Sequence, residues 1–124
     1  MLIKRILLVD DEECILDTYS LLLVENGYTV ITTNSGNKAL DQFLCQSFDL
    51  VITDLSMHDG DGFRLIEAIR ERSEKMPIIA FTGNGEYRSV KEFLSLLGTN
   101  ALMEKSCSNE AFITCVNNCL QAKA

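Results

Sequence analysis

The chain has 124 residues, which suits one domain of usual size and leaves no room for a second folded unit, so residues 1–124 are expected to form a single domain without an effector. Hydrophobic residues at 47% and charged residues at 23% match a globular average and exclude disorder as the default. A formal net charge of −7 repels polyphosphate backbones and anionic lipid, which argues against direct nucleic-acid binding.

From the start, Lys4 and Arg5 precede a short apolar run that meets Asp10 and Asp11 at once. That run is too short for a signal or a membrane span, and a cytoplasmic protein is expected. Ile3 to Val9 is the first strand-like run; others follow at Tyr28 to Thr33, Leu50 to Thr53, Pro77 to Phe81 and Asn100 to Met103. Their spacing of about 25 residues accommodates a strand, a helix and two short loops each time, which predicts five β-α units.

The segments between them carry helical spacing. Apolar stripes run through Ile15, Tyr19, Leu22 and Leu23 in the first segment, and through Ala39, Leu40, Phe43 and Leu44 in the second. The third has Leu65, Ile66 and Ile69, the fourth Val90, Phe93, Leu94 and Leu97, and the fifth Phe112, Val116 and Leu120. Gly27 and Gly98 stand where glycines stop the first and fourth helices, and Ser35 and Ser108 where caps start the second and fifth. Strands such as Ile6–Val9 and Pro77–Phe81 are apolar on both faces, so helices must cover both. The predicted architecture is an open, parallel, doubly wound α/β sheet.

Cysteine usage is odd: Cys14, Cys45, Cys107, Cys115 and Cys119, with no Cys-x-x-Cys pair. Reduced thiols are expected, and Cys115 with Cys119, one helical turn apart, read as helix core rather than as a zinc site.

In open α/β sheets the ligand crevice lies beyond the carboxyl ends of the strands. Here those ends are polar: Asp10 and Asp11, then Asp54, then Thr82 with Gly83, then Lys105. Each alone has a bland explanation as a cap or loop residue. Together, the three carboxylates would repel one another unless a cation lay between them, and Mg²⁺ suits a few carboxylates plus phosphate oxygens. A hydroxyl and N–H from Thr82 and Gly83 and an ammonium from Lys105 suit a transferring phosphoryl group, with Asp54 as nucleophile.

Other readings are weaker. Asp10 to Glu13 lacks the glycines of a dinucleotide turn, and Phe63 falls where a calcium loop seeded by Asp59 to Gly62 needs a ligand. His58, the sole histidine, reads as a solvated loop residue, and Cys14 beside carboxylates makes a poor thiolate. An aspartyl-phosphate hydrolase would carry a second acid two residues after its nucleophile, where this chain has Ser56.

The stretches Val9-Asp10-Asp11-Glu12, Asp54-Leu55-Ser56-Met57 followed by Asp61-Gly62, Phe81-Thr82-Gly83, and Gly98 ahead of Lys105 resemble the receiver domain of bacterial two-component response regulators, over about Ile3 to Leu120. The resemblance implies a (βα)5 flavodoxin-like fold with strand order 2-1-3-4-5. It implies a phosphorylation-dependent switch rather than an enzyme with turnover on outside substrates. Asp54 resembles the phosphoacceptor, Asp11 a direct Mg²⁺ ligand, and Asp10 an acid holding the metal mostly through water. Ser56 would lend a backbone carbonyl to the metal, Thr82 resembles the switch hydroxyl, and Lys105 the lysine that pairs with the phosphoryl group. The implied donor is a phosphohistidine on a sensor histidine kinase or histidine phosphotransfer protein.

Three positions depart from that pattern. Leu102 replaces an aromatic residue, Ser106 replaces the proline after the lysine, and His58 replaces a proline. With no ring at Leu102, output is expected to run through the loop from Gly83 to Arg88 and the start of the fourth helix, with Ser56 and Asn84 tuning phosphoryl lifetime.

Overall fold

The computed structural model describes residues 3–55, 57, 62–83 and 98–122. In chain order the elements are β1 (Arg5–Val9), α1 (Glu13–Glu25), β2 (Thr29–Thr33), α2 (Gly36–Cys45), β3 (Leu50–Asp54), α3 (Gly62–Arg72), β4 (Ile78–Thr82), β5 (Ala101–Glu104) and α4 (Asn109–Ala122). All five predicted strands are present, with ends moved by one or two residues. The fourth apolar stripe, Val90 to Leu97, lies outside the described residues.

The strands form one parallel sheet in the order β2-β1-β3-β4-β5. Side chains alternate across it, and the central strands β1, β3 and β4 are buried on both faces, whereas the edge strands β2 and β5 stay half-buried or exposed. On one face Ile6, Leu8, Leu50, Ile52, Ile79 and Phe81 pack with Leu16, Tyr19 and Leu23 of α1 and Phe112, Val116 and Leu120 of α4. On the other, Leu7, Val9, Val51, Ile78 and Ala80 pack with Ala39 and with Leu65, Ile66 and Ile69 of α3. Among the described residues of the predicted stripes, Leu44 alone is exposed, at the end of α2. Cys119 joins the first cluster with Cys115 packed against it, in line with helix core.

Local signals hold the helix ends. Gly27 has φ +92° just beyond the end of α1 and Gly98 has φ +71°, both in the left-handed region where a side chain is strained. The Ser35 hydroxyl accepts the Lys38 N–H at 3.2 Å, and the Ser108 hydroxyl accepts the Ala111 N–H at 3.1 Å, each offsetting an unsatisfied donor of a first helical turn. Among the described residues no helix is long and apolar enough to cross a membrane.

Candidate functional site

Parallel pairing brings the polar strand ends to one edge of the sheet. Val9 pairs with Thr53, Asp54 with Phe81, and Thr82 with Glu104, so the residues that follow emerge side by side. Backbone bonds extend the ladder past the strands themselves: Asp10 N–H to the Thr33 carbonyl at 3.2 Å, Leu55 N–H to Phe81 at 3.0 Å, and Lys105 N–H to Thr82 at 3.1 Å. Asp10, Asp54, Thr82 and Lys105 are therefore positioned by the sheet and not by loops.

The acids are deeply placed. Asp10 is 1% exposed, Asp54 3% and Thr82 2%, although burial disfavours polar and charged groups unless they find partners. The Lys105 ammonium is the shared partner, with Nζ 3.1 Å from Asp10 Oδ2, 3.2 Å from Asp54 Oδ2 and 3.2 Å from Glu12 Oε1. Burial of the amine works against its charge, yet Asp54, Asp10 and Glu12 together raise its proton affinity above the ordinary lysine value. Burial also raises the Asp10 carboxyl above its usual range, and the Asp54 charge adds to that; the Glu12 N–H and Lys105 pull the other way. That Glu12 N–H reaches Asp10 Oδ1 at 2.9 Å, so Asp10 also shapes the turn into α1.

Carboxylate oxygens of Asp10, Asp11 and Glu12 all lie within 4.8 Å of one another, a spacing that suits a single cation. Three carboxylates, Asp10, Glu12 and Asp54, contact the Lys105 ammonium, Asp11 lies beside Asp10 and Glu12, and all these donors are hard oxygens. That set fits Mg²⁺ and suits neither zinc nor copper, which favour nitrogen and sulfur.

The Thr82 hydroxyl donates to the Gly83 carbonyl at 3.3 Å, close to its own backbone and available to reorient. Ser56, His58 and Asn84 lie outside the described residues, as does the loop expected to carry output. Leu102 is half-buried beside the cluster of Ala80 and Ile78. The Lys105–Ser106 peptide is trans, as are the other described peptide bonds.

Sequence reasoning treated two site residues too lightly. Glu12, not among the candidate ligands of the sequence analysis, has a carboxylate that completes the oxygen cluster and contacts Lys105. The missing side chain of Gly62 is what lets α3 approach the end of β3. A Cβ there would overlap the Asp54 carbonyl oxygen and stand 2.8 Å from Leu55 Cα. Glu12 was visible as the next acid after Asp10 and Asp11; the Gly62 contact has no local signal.

A family model for the response regulator receiver domain matches residues 6–117. The chain is 31% identical over 122 residues to the transcriptional regulatory protein GlrR of Escherichia coli (strain K12), covering 97% of this chain and 27% of that protein. It is 34% identical over 95 residues to the alkaline phosphatase synthesis transcriptional regulatory protein PhoP of Bacillus subtilis (strain 168), covering 77% and 38% respectively. The CAI-1 autoinducer sensor kinase/phosphatase CqsS of Vibrio cholerae is 29% identical over 113 residues, covering 89% of this chain and 16% of that protein. The chain thus spans well under half the length of these relatives. Among solved structures, a response regulator receiver domain protein from Clostridium thermocellum superposes with a TM-score of 0.89 at 28% identity, covering 98% of this chain and 97% of the other. A CheY-like receiver domain protein from Methanospirillum hungatei gives 0.92 at 25% identity, covering 98% and 97%. Sheet order, strand-end acids and these matches agree: the chain belongs to the response regulator receiver domain family of two-component signal transduction.

Proposed function

We propose that this receiver domain accepts a phosphoryl group on Asp54 from a phosphohistidine of a sensor histidine kinase or histidine phosphotransfer protein. The observation that carries the reading is the Lys105 ammonium held against both Asp10 and Asp54, two buried acids from different strands. In the transfer an Asp54 carboxylate oxygen forms the new P–O bond, the donor's P–N bond breaks, and the electron pair leaves on the imidazole, which takes up a proton. Asp54 begins as a buried carboxylate on a rigid strand end, which orients it for in-line attack. Lys105 is already in place to follow the negative charge as it moves from carboxylate to phosphoryl oxygens.

Asp10, Asp11 and Asp54, with the Ser56 carbonyl, would hold Mg²⁺, which supplies neutralising charge for the phosphoryl oxygens. Glu12 joins the set through its proximity to Asp10 and Asp11. Thr82 turns its hydroxyl from Gly83 toward the phosphoryl group, since three acceptor oxygens and about two negative charges outcompete one carbonyl. The product is a switched state of the protein and no released molecule, so the domain catalyses only its own phosphorylation and dephosphorylation. Similarity to transcriptional regulators and to a sensor kinase supports a cytoplasmic phosphorelay; the net charge of −7 argues against direct nucleic-acid contact by this domain.

The test is stoichiometric labelling by acetyl phosphate with and without Mg²⁺. One acid-labile gain of about 80 Da per chain, one phosphoryl group, is expected with Mg²⁺ only, and Asp54→Asn should abolish it. Because the chain has no Trp, mass or gel mobility must replace indole fluorescence. Full labelling of the variant, or repeated turnover of small phosphate esters, would overturn the assignment.

A further inference from the structure

The Lys105 backbone is tied at both ends. Its N–H donates to the Thr82 carbonyl at 3.1 Å, and its carbonyl accepts the Tyr19 hydroxyl at 3.2 Å across 86 residues of sequence. The first bond is an extension of the sheet ladder. The second is a side-chain bond from a different element, α1, and nothing in the sheet requires it.

Tyr19 is itself immobilised. It is 5% exposed, its ring stacks on Phe81 with centroids 5.3 Å apart, and it meets Phe112 at 4.5 Å. Phe81 directly precedes Thr82 and pairs with Asp54 across β3 and β4, so the same ring stack that fixes Tyr19 is anchored in the strand that carries the switch threonine. Cys107 packs against the same core cluster. Burial, with Cys107 adding to it, raises the phenol above its ordinary value, so the hydroxyl remains a neutral donor at physiological pH.

We infer that Tyr19 is a positioning residue: through its hydroxyl it fixes the backbone of Lys105, and so the reach of the Lys105 ammonium to Asp10 and Asp54. This rests on the proposed role of Asp54 and Lys105 in phosphoryl transfer. Lysine is a flexible point charge on a four-carbon stem, and anchoring its backbone narrows the volume the ammonium can sample. Here the anchor at the carbonyl is a phenol seated in the core, so a hydrophobic stripe of α1 doubles as the mount for a site residue. A buried tyrosine hydroxyl needs a partner, and here that partner is the backbone of a site residue on another element.

The test compares Tyr19→Phe with Tyr28→Phe in the full chain. Both variants keep their rings and lose one half-buried tyrosine bond; Tyr28 donates to Asn117, away from the strand-end acids. Tyr19→Phe is expected to slow acetyl-phosphate labelling at saturating Mg²⁺ by about fivefold, the rate equivalent of one neutral hydrogen bond, with unchanged final stoichiometry. Tyr28→Phe should leave the rate within about twofold while losing comparable stability. The ¹⁵Nζ resonance of Lys105 should shift in the first variant and stay in the second.

Equal slowing in both variants, or an unaltered rate and resonance in Tyr19→Phe, would overturn the inference. In the unsubstituted protein the Tyr19 hydroxyl proton should exchange slowly with water, and exchange as fast as that of free tyrosine overturns it without any variant. If the unsubstituted protein takes no label, the phosphoacceptor reading fails, and the Lys105 resonance in Tyr19→Phe still decides the positioning role.

Discussion

The two edges of the sheet use similar residues to opposite ends. At the edge where the strands begin, the Arg5 N–H reaches Asp49 Oδ2 at 2.8 Å and the Asp49 N–H returns to the Arg5 carbonyl at 2.8 Å. The Arg5 guanidinium bonds Gln46 and lies over the Phe48 ring, 5.6 Å from its centroid. Asn100 closes a reciprocal pair with Ile78, its Oδ1 accepting the Ile78 N–H at 2.9 Å and its own N–H reaching the Ile78 carbonyl at 2.9 Å. Arg70 ties the end of α3 to the Gly98 carbonyl at 2.8 Å. Donors meet acceptors there in the contacts named, which is what stability alone selects.

At the edge where the strands end, Asp10, Glu12 and Asp54 converge on the Lys105 ammonium, with Asp11 beside Asp10 and Glu12. That excess of negative charge is unfavourable for folding in the absence of a cation and useful for holding one. Polar residues at strand ends are thus uninformative one by one; the imbalance of charge separates a working edge from a structural one.

The largest effect that would sharpen this contrast is at Gly62. Gly62→Ala places a Cβ against the backbone of Asp54 and Leu55, and a loss of about 3 kcal/mol in stability is expected by urea denaturation. Gly83→Ala, with nothing within 4 Å of the added carbon, should stay within about 0.5 kcal/mol. Equal effects would mean that the close approach of α3 to β3 is not required.

Next comes the metal. Asp11→Ala should weaken Mg²⁺ binding by at least about tenfold, or 1.4 kcal/mol, in calorimetric titration. An unchanged affinity would remove Asp11 from the working edge.

On the structural edge, Asn100→Ala should reduce stability by about 1 kcal/mol through the bond lost at Ile78. Its Mg²⁺ affinity and labelling should match those of the unsubstituted protein. A large change in either would break the division between the two edges.

The smallest expected effect is a pH dependence. Because the folded state raises the Asp10 carboxyl above 3.8, it holds that proton more tightly than the unfolded chain does. The contribution of Asp10 to stability is therefore full below pH 3.8 and is lost as pH rises through the folded-state value. In Mg²⁺-free buffer, Asp10→Asn should match the unsubstituted protein in acid and become the more stable of the two on the neutral side. A gap that opens toward acid instead would show that Lys105 and the Glu12 N–H outweigh burial.

Much of this was legible in the chain because its signals are local. Alternation with apolar residues on both faces announced strands such as Ile6–Val9, whose side chains divide between the two cores. Ser35, Ser108 and Gly27 marked helix ends, and Gly98 a left-handed turn, because caps and such turns depend on a few neighbouring residues. Strand ends were read a residue or two off because pairing with a neighbour, and not the residue's own preference, decides where a ladder stops. Asp54 and Thr82 became the last residues of β3 and β4 in this way. Leu44, periodic with its stripe yet exposed, shows the same limit: helical spacing names a face but not how far the neighbouring element covers it.

By itself the sequence determined the order of the strands and described helices along the chain, the two-sided burial of the central strands, and the placing of Asp10, Asp11, Asp54, Thr82 and Lys105 at strand ends, since each follows from periodicity and order along the chain. Only the tertiary structure decided which groups meet. It brought Lys105 to Asp10 and Asp54, added Glu12 to the oxygen cluster, set Gly62 against the end of β3, and turned the hydroxyl of a core tyrosine on α1 toward the Lys105 carbonyl. Those contacts join residues as far apart as Asp10 and Lys105, and the register and packing that create them belong to the assembled sheet and its helices, with no counterpart in any local stretch of chain.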